Sequence, residues 1–306
     1  MTDVRHIDAH SALYFGDTRD EWWNLDHLRL LVARWSMSTV TDVLDVGAGV
    51  GHWGRLLSQA LPSALRLTGV EREPRWVHEA TQRAQPLPPA THPQTKLEYV
   101  LGDAMHLPFA DASFDLVTCQ TVLIHLPNPR ACIAEMARVL RPRGHLLLVE
   151  PNNIAGQLAS RVAAPLDDID DVLRETRFQL ICERGKAKLG LGFNSLGESL
   201  PGLIDATLFA DIDIAQCDRP SPLLPPYSTR AQRAEVDEER DLVEHEIYMW
   251  PRAEAKRYYE AGGGTSFEDD YAFGLSRARA RLSRIQQNEL IRVGGQLQYL
   301  VHAIRR

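Results

Sequence analysis

Between residues 40 and 151, short apolar runs alternate with segments of helical periodicity. The runs predict strands, at residues 40–46, 65–71, 97–102, 114–120 and 146–150. One intervening segment carries apolar residues at three- and four-residue spacing, at Ile133, Met136, Ala137 and Leu140. That spacing predicts a helix with one face against a sheet. Strands joined by helices are typical of a parallel sheet, so this part of the chain is restricted to an α/β fold.

The rest of the sequence predicts more helices and two more strands. A helical stripe between residues 25 and 35 follows the aromatic pair Trp22 and Trp23. After residue 151 we predict helices at residues 154–164, 169–185 and 196–209, and strands at residues 211–216 and 296–303. Residues 217–295 have a mainly helical pattern, with an apolar stripe at Leu275, Ala278, Leu282 and Ile285. A long insertion therefore separates the last two predicted strands.

Composition and charge limit the partners that we expect. The 306 residues carry a net charge of −7, whereas nucleic-acid binding depends on clustered Lys and Arg, so we expect no nucleic-acid partner. The four cysteines form no CxxC pair and favour neither a disulfide framework nor a zinc site. The first thirty residues lack the apolar core of a signal peptide, and no apolar run reaches membrane-spanning length. We expect a cytoplasmic protein that binds no metal.

Glycines crowd the end of the first predicted strand. Residues 43–57 read VLDVGAGVGHWGRLL, with four glycines within eight positions. Glycine here permits a tight turn into the next helix and lets a ligand contact main-chain N–H groups at the positive end of that helix. The pattern also satisfies GxGxxG, which is weak support for a nicotinamide dinucleotide.

Acidic residues end the next two strands. Glu71 ends the second strand, 24 residues after Gly47, and Asp103 follows the third. Ligands of open parallel sheets bind beyond the carboxyl ends of the strands, where a carboxylate can accept from a ribose diol. A second carboxylate suits an adenine amino group. The pair therefore favours an adenosine ligand that needs no phosphate cradle.

Four segments of the sequence resemble the successive motifs of class I S-adenosylmethionine-dependent methyltransferases. They are VLDVGAGVG, GVEREP, LGDAMHLPFADASFDLVTCQTVLIHLP and LRPRGHLLLVEP. The likeness is strongest to small-molecule enzymes of the quinone-biosynthesis type and covers residues 40–151. It implies a Rossmann-like, doubly wound α/β sheet of seven strands in the order 3-2-1-4-5-7-6, with the seventh strand antiparallel.

The resemblance also implies a division of the chain. It predicts an N-terminal helical cap or lid at residues 1–39, a cofactor-binding core at 40–151, a helical insertion at 152–195, a core helix and strand at 196–216, a second helical insertion at 217–295 and a terminal core strand at 296–306. The insertions would line the acceptor pocket, or one would form an oligomer interface.

The same resemblance implies which residues bind S-adenosylmethionine. Gly47, Ala48 and Gly49 would lie along its methionine and ribose portions, and Glu71 would hold the ribose hydroxyls. The remaining contacts would come from Arg72 beside the adenine, Asp103 at adenine N6, Ala104 and Met105 beside the ring, and Gln120 near the sulfonium. The segment containing Gly16-Asp17-Thr18-Arg19 is similar to a stretch that precedes the fold in glycine N-methyltransferase, so Tyr14 or Arg19 is predicted to bind the methionine carboxylate.

Other residues remain open between a functional and a packing role. Trp22 and Trp23 either line the acceptor pocket or pack in the core. His125 is either a general base or a satisfied polar group, and Asn152 either reaches the acceptor or caps a helix. Asp167, Asp168, Asp170 and Asp171 are expected to cap a helix and form its solvated first turn rather than bind a metal. The arginines at 277, 279, 281 and 284 are expected to form a solvated face.

We therefore predict methyl transfer from S-adenosylmethionine to a small-molecule acceptor through an N, O or C nucleophile, with His125 as the candidate base. Two alternatives remain at this point. The chain could be a nicotinamide-dependent oxidoreductase, or a catalytically silent protein that binds S-adenosylmethionine. The sequence specifies neither the identity of the acceptor nor whether the protein forms a homo-oligomer.

Overall fold

The structure is a computed structural model that describes residues 17–161 and 168–306. Its strands are β1 (Asp42–Val46), β2 (Arg66–Glu71), β3 (Lys96–Leu101), β4 (Phe114–Gln120), β5 (Leu140–Pro151), β6 (Phe209–Gln216), β7 (Pro220–Leu223), β8 (Arg292–Gly295) and β9 (Gln298–Arg305). Its α-helices are α1 (Leu25–Arg34), α2 (His52–Ala60), α3 (Pro74–Arg83), α4 (Pro129–Val139), α5 (Asn153–Arg161), α6 (Ile169–Lys188), α7 (Arg230–Glu244), α8 (Arg252–Gly262) and α9 (Phe267–Gln286). Short 3₁₀ helices span Asp17–Glu21, Met37–Thr39, Leu123–His125 and Gly197–Leu203.

These elements form two compact units. The sheet unit comprises Trp23–Asn152, Asn194–Asp218 and Leu297–Arg306. The helical unit comprises, within the described residues, 17–22, Asn153–Phe193 and Arg219–Gln296.

The sheet unit contains one seven-stranded sheet in the order β3-β2-β1-β4-β5-β9-β6. Strands β1 to β5 pair in parallel, and β9 pairs antiparallel with both β5 and β6. Since β9 is the seventh strand of this sheet in chain order, the predicted order and the predicted antiparallel last strand are both confirmed. The helices flanking the sheet confirm the doubly wound α/β class.

Register assigns the side chains to two faces of the sheet. Asp45 pairs with Thr118, which pairs with Leu147, which pairs with His302, so these four side chains share one face. Helix α2 packs there, because the Trp53 indole N–H donates to the Thr118 hydroxyl at 2.9 Å. The other face carries the main apolar core, in which Val117 and Leu148 pack with α4.

Two predicted elements differ from the structure. The helix predicted at residues 196–209 is wrong: a 3₁₀ helix spans Gly197–Leu203, and Phe209 begins β6. Pro201 lies inside that short helix, where it can donate no main-chain hydrogen bond, and the segment does not continue as an α-helix. The last parallel strand begins at Leu140 rather than at residue 146. Leu140 already pairs with Phe114 of β4, and after an irregularity the pairing continues from His145.

The helical unit contains α5 to α9 and the antiparallel pair β7 and β8. Aromatic side chains dominate its core, among them Phe178, Tyr248, Tyr259, Phe267 and Tyr271. The predicted packed stripe of α9 is confirmed, because Leu275, Ala278, Leu282 and Ile285 are all buried. The predicted cap is also confirmed: the Asp168 carboxylate accepts the N–H groups of Asp170 and Asp171. Asp167 lies outside the described residues.

The arginines of α9 do not form a solvated face throughout. Arg277 and Arg281 are partly buried and form ion pairs with Glu175, a carboxylate that is 3% exposed. Their positive charges compensate the negative charge of Glu175, which would otherwise be buried without a charged partner. Arg279 meets the expectation, since it is largely exposed beside Glu246. In the described residues, no helix combines the length and the apolar content needed to cross a membrane.

Candidate functional site

The loop between β1 and α2 lies at the carboxyl edge of the parallel strands. Gly47 and Ala48 both donate their N–H groups to the Val70 carbonyl, at 2.8 and 3.0 Å. Gly102, after β3, donates to the Glu71 carbonyl at 3.0 Å. These bonds join the ends of three neighbouring strands, so the predicted loop and both predicted carboxylates come together at one edge.

The glycines of this loop are required by geometry. Gly47, Gly49 and Gly51 have φ values of +68°, +55° and +85°, in the left-handed region that favours glycine. A Cβ on Gly47 would lie 2.5 Å from Val122 Cγ2, and a Cβ on Gly51 would lie 2.3 Å from the Tyr99 hydroxyl. Both contacts are far inside van der Waals distance. The protein's own packing therefore already demands a bare backbone here.

Glu71 orders the loop with its side chain. Its Oε2 accepts the Gly49 N–H at 2.9 Å, and its Oε1 accepts the N–H groups of Arg72 and Glu73 at 2.7 and 3.0 Å. A carboxylate offers about four lone-pair sites, so three are occupied and about one remains for a ligand hydroxyl. The sequence predicted a pair of ribose bonds; the structure adds a main-chain role that the sequence did not indicate.

Asp103 has a freer carboxylate. Its Oδ1 accepts the Met105 N–H at 2.9 Å, and the side chain is exposed. Among the described residues, no hydrogen bond engages its other oxygen. Ala104 and Met105 are half-buried beside it and pack against the main core, whereas Arg72 is exposed, with Nε 3.7 Å from Glu73 Oε1.

Asp45 is buried beneath the loop. Its carboxylate is 1% exposed and accepts the Gly54 N–H at 3.1 Å. The pKa of Asp45 is raised to about 8, mainly by burial. The nearby Glu71 charge also raises this pKa, whereas the hydrogen bond from Gly54 lowers it in part. The direct bond to Gly54 fixes the first turn of α2, so Asp45 acts on the loop from within the protein.

Glu150 is a site residue that the sequence reasoning missed. It lies near the end of β5 with 0% exposure, and its Oε1 accepts the N–H groups of Val122 and Leu123 at 2.9 and 2.7 Å. Those two bonds shape the turn that follows β4. An acidic residue ending the apolar run LLLVEP was the available signal, because a charge there requires a partner.

That turn carries the predicted base. His125 ends the 3₁₀ helix Leu123–His125, is half-buried, and donates its main-chain N–H to the Val122 carbonyl at 2.9 Å. Gln120, the last residue of β4, is buried at the same edge of the sheet. Gln120 thus lies at the carboxyl end of β4, the strand that neighbours β1, and His125 lies just beyond that end.

The remaining predicted residues are divided between the two units. Trp23 is 3% exposed and lies 5.1 Å from Trp53 between ring centroids, with which it forms a buried aromatic pair in the sheet unit. Asn152 is buried after β5 and donates its main-chain N–H to the Leu297 carbonyl at 2.9 Å. Arg19 and Trp22 belong to the helical unit, where the Arg19 guanidinium lies 5.1 Å from the Trp22 ring. Tyr14 lies outside the described residues.

The arrangement suits a neutral or cationic nucleoside. Two carboxylates, at the ends of β2 and β3, are held by main-chain N–H groups and keep acceptor capacity beside a loop of bare backbone. Within residues 17–161 and 168–306, no group of three His, Cys, Asp or Glu side chains is placed to hold a metal ion.

Part of this chain is similar to known methyltransferases. Residues 44–148 match the family described as "Methyltransferase domain". Among curated proteins, "Methyltransferase GfsG" of Streptomyces halstedii is 35% identical over 120 residues, covering 39% of this chain and 41% of its own length. The 2-methyl-6-phytyl-1,4-hydroquinone methyltransferase of a Synechocystis strain is 33% identical over 142 residues, covering 46% of this chain and 39% of its own length.

A third relative has a longer match. "Uncharacterized methyltransferase YcgJ" of Bacillus subtilis is 35% identical over 152 residues, or 49% of this chain and 55% of its own length. The chain therefore spans about half the length, or less, of these three relatives. The residues matched by the family, 44–148, include the glycine loop after β1, Glu71 and Asp103.

Proposed function

We propose that the protein is a class I S-adenosylmethionine-dependent methyltransferase that transfers the methyl group of S-adenosylmethionine to a small-molecule acceptor, because residues 44–148 match the family described as "Methyltransferase domain". One observation carries the proposal: Glu71 and Asp103 stand at neighbouring strand ends, oriented by main-chain N–H groups, and each keeps an acceptor site toward the same edge. An adenosine offers the matching donors, a ribose diol and an amino group.

The residues at this edge fit that cofactor. Glu71 would accept a ribose hydroxyl, and Asp103 would accept from adenine N6. The bare backbone of Gly47, Ala48 and Gly49 would lie along the ribose and methionine portions, and Gln120 near the sulfonium. Arg72, Ala104 and Met105 would flank the adenine. When bound, S-adenosylmethionine would supply a methyl carbon activated by its sulfonium: the acceptor atom would bond to that carbon in line as the carbon–sulfur bond breaks, with S-adenosylhomocysteine as the leaving group.

The chain's own contribution is orientation and proton transfer. Buried groups at the edge, such as Gln120 and Asn152, exclude water, so the acceptor and the methyl carbon can be held in line. For an acceptor that is a neutral hydroxyl or amine, His125 would take the proton at a ring nitrogen. Glu150 would then be a positioning residue, because it holds the turn that carries His125.

Calorimetric titration with S-adenosylhomocysteine tests the proposal. Glu71→Ala and Asp103→Ala should each weaken binding by about 1–3 kcal/mol, the effect of removing one partner of a buried hydrogen bond. Glu98→Ala is a matched control, because Glu98 lies on β3 but bonds to Thr68, away from the loop. NADH titrated in parallel should not bind. His125→Ala should slow methyl transfer while leaving the affinity for S-adenosylhomocysteine unchanged.

Two outcomes would contradict the proposal. In the first, both carboxylate variants bind S-adenosylhomocysteine as tightly as the parent. In the second, NADH binds and S-adenosylhomocysteine does not, which would favour the oxidoreductase alternative.

We further infer a cytoplasmic location and no nucleic-acid partner. The four cysteines are free, and burial raises the pKa values of Cys119, Cys132 and Cys182, so those three thiols are poor nucleophiles. A net charge of −7 opposes binding to a polyanion. Fractionation of cells and a nucleic-acid binding assay check these two points, and light scattering would show whether the protein forms a homo-oligomer.

A further inference from the structure

Gln298 carries a buried side-chain amide. It is the first residue of β9 and is 1% exposed. Neither its side-chain oxygen nor its side-chain nitrogen has a hydrogen-bond partner among the described residues. A buried amide left unpaired is unfavourable for folding, so such a group needs an explanation outside the fold itself.

The backbone around Gln298 is firmly held. The Cys217 N–H donates to the Gln298 carbonyl at 2.9 Å on the β6 side. On the β5 side, the Asn152 N–H donates to the carbonyl of the preceding residue, Leu297, also at 2.9 Å. A residue fixed between two strands in this way presents its side chain in one direction. The unpaired amide is therefore preorganised.

Register places this amide on the face and at the edge of the proposed site. Gln120 pairs with Val149, Val149 pairs with Leu300, and Gln298 pairs with Pro151. Gln120, Val149 and Gln298 thus share one face, and Gln120 and Gln298 belong to strands that flank β5, about 10 Å apart. Pro151 ends β5 at the carboxyl edge of the parallel strands, which is where ligands of such sheets bind.

Aromatic side chains lie over that face. Trp53 is held over the face by its bond to Thr118, and Trp23 packs against Trp53. An amide carries no net charge and offers both a donor and an acceptor. Such a group pairs well with a neutral hydroxyl, which also donates and accepts. It has no positive charge to compensate the negative charge of a buried carboxylate.

We propose that Gln298 hydrogen-bonds the methyl acceptor and selects an aromatic or apolar acceptor with a neutral hydroxyl over one with a charged group. The inference rests on the proposed function, because it assigns the acceptor side of the same edge. It explains why a strand that contributes nothing to the cofactor motifs begins with a buried, unpaired amide. Specificity of this kind arises because the polar atoms of a site built for a hydroxyl stay unpaired when a ligand without that hydroxyl binds.

The test uses the full chain saturated with S-adenosylhomocysteine. Two probes, 2-naphthol and 2-naphthoate, carry a hydroxyl or a carboxylate on the same ring, and quenching of tryptophan fluorescence reports their binding. The parent should bind 2-naphthol at least about ten-fold more tightly than 2-naphthoate. Gln298→Leu should weaken 2-naphthol by about ten-fold or more and leave 2-naphthoate and S-adenosylhomocysteine unchanged.

Stability separates this role from a structural one. Because the Gln298 side-chain amide has no hydrogen-bond partner among the described residues, Gln298→Leu should leave the urea midpoint unchanged or raise it. Gln232→Leu is the matched control, since the buried Gln232 side chain bonds to the carbonyls of Pro222 and Leu224 and to the Thr229 N–H. That variant should lower the midpoint.

Three results would overturn the assignment. They are a midpoint lowered by Gln298→Leu as much as by Gln232→Leu, equal binding of 2-naphthol by Gln298→Leu and the parent, or a parent that does not prefer 2-naphthol. A parent that fails to bind S-adenosylhomocysteine would instead remove the proposed function, and the assignment of Gln298 with it.

Discussion

Replacing Glu71 by glutamine tests whether this side chain braces the glycine loop. The carboxylate accepts three main-chain N–H groups, one from Gly49 on Oε2 and two, from Arg72 and Glu73, on Oε1. Glutamine has one acceptor oxygen and one NH₂ group, so the NH₂ group must face a donor. Facing Gly49 breaks one bond, and facing Arg72 and Glu73 breaks two. The amide should therefore turn its nitrogen toward Gly49.

The expected loss follows from that count. One hydrogen bond to a charged group contributes about 1.5–3 kcal/mol, so the free energy of unfolding should fall by about that amount in Glu71→Gln. For a slope of about 3 kcal/mol/M, the urea midpoint should fall by about 0.5–1 M. Removing the Glu71 charge also lowers the pKa of Asp45, which offsets a small part of the loss.

Urea unfolding followed by circular dichroism at pH 7 measures this loss. The matched control is Glu73→Gln, two residues along, because the Glu73 carboxylate is 44% exposed and lies 3.7 Å from Arg72. That variant should stay within about 0.5 kcal/mol of the parent. Equal midpoints for Glu71→Gln and Glu73→Gln would refute the bracing role. Calorimetry with S-adenosylhomocysteine on the same samples would then show whether Glu71 acts on the ligand alone.

Two further predictions concern packing and pH. Gly51→Ala should reduce stability by about 2–5 kcal/mol, since its φ of +85° is unfavourable for alanine and its Cβ would lie 2.3 Å from the Tyr99 hydroxyl. Adding Tyr99→Phe should restore part of that loss in a double-mutant cycle, and strictly additive effects would contradict the steric account. His302 should make the protein less stable in acid. Burial, with a smaller effect of neighbouring His145, lowers its pKa from 6.5 to about 4, and Asp213 opposes this shift in part. Between those values the unfolded state binds more protons, so stability should fall by up to about 3 kcal/mol as pH drops from 6.5 to 4. His302→Phe can keep the stack on Trp35, 4.9 Å away, and should lose this dependence in urea titrations at pH 7 and 4.5.

Periodicity predicted a parallel α/β sheet, and the resemblance to class I S-adenosylmethionine-dependent methyltransferases supplied the order of its seven strands. Apolar runs separated by helical stripes leave few parallel arrangements, and the carboxyl ends of such strands share one edge. Glu71 and Asp103 were therefore predictable as neighbours. Their main-chain bonds were not, because the sequence does not show which N–H groups a loop directs inward.

Other features depend on contacts distant in sequence. Glu150 and Gln298 lie on strands that pair across a long insertion, so only the folded register shows what each side chain faces. Strand β7 contains Pro220 and Pro222, which weaken any strand signal, yet it pairs with β8. Between residues 196 and 209 the apolar spacing is compatible with a helix, but Gly197, Pro201 and Gly202 prevent a regular one.

The position of β9 between β5 and β6 has a consequence for synthesis. Strand β5 ends at residue 151 and β9 begins 147 positions later, at residue 298. At about 5–20 residues per second, a ribosome takes roughly 7–29 seconds to cover that interval. Throughout it, a nascent chain carries an unpaired strand edge rich in leucine and valine. Until β9 pairs with it, that edge can pair with a strand of another chain, so the interval before β9 emerges is the stage of synthesis most exposed to self-association.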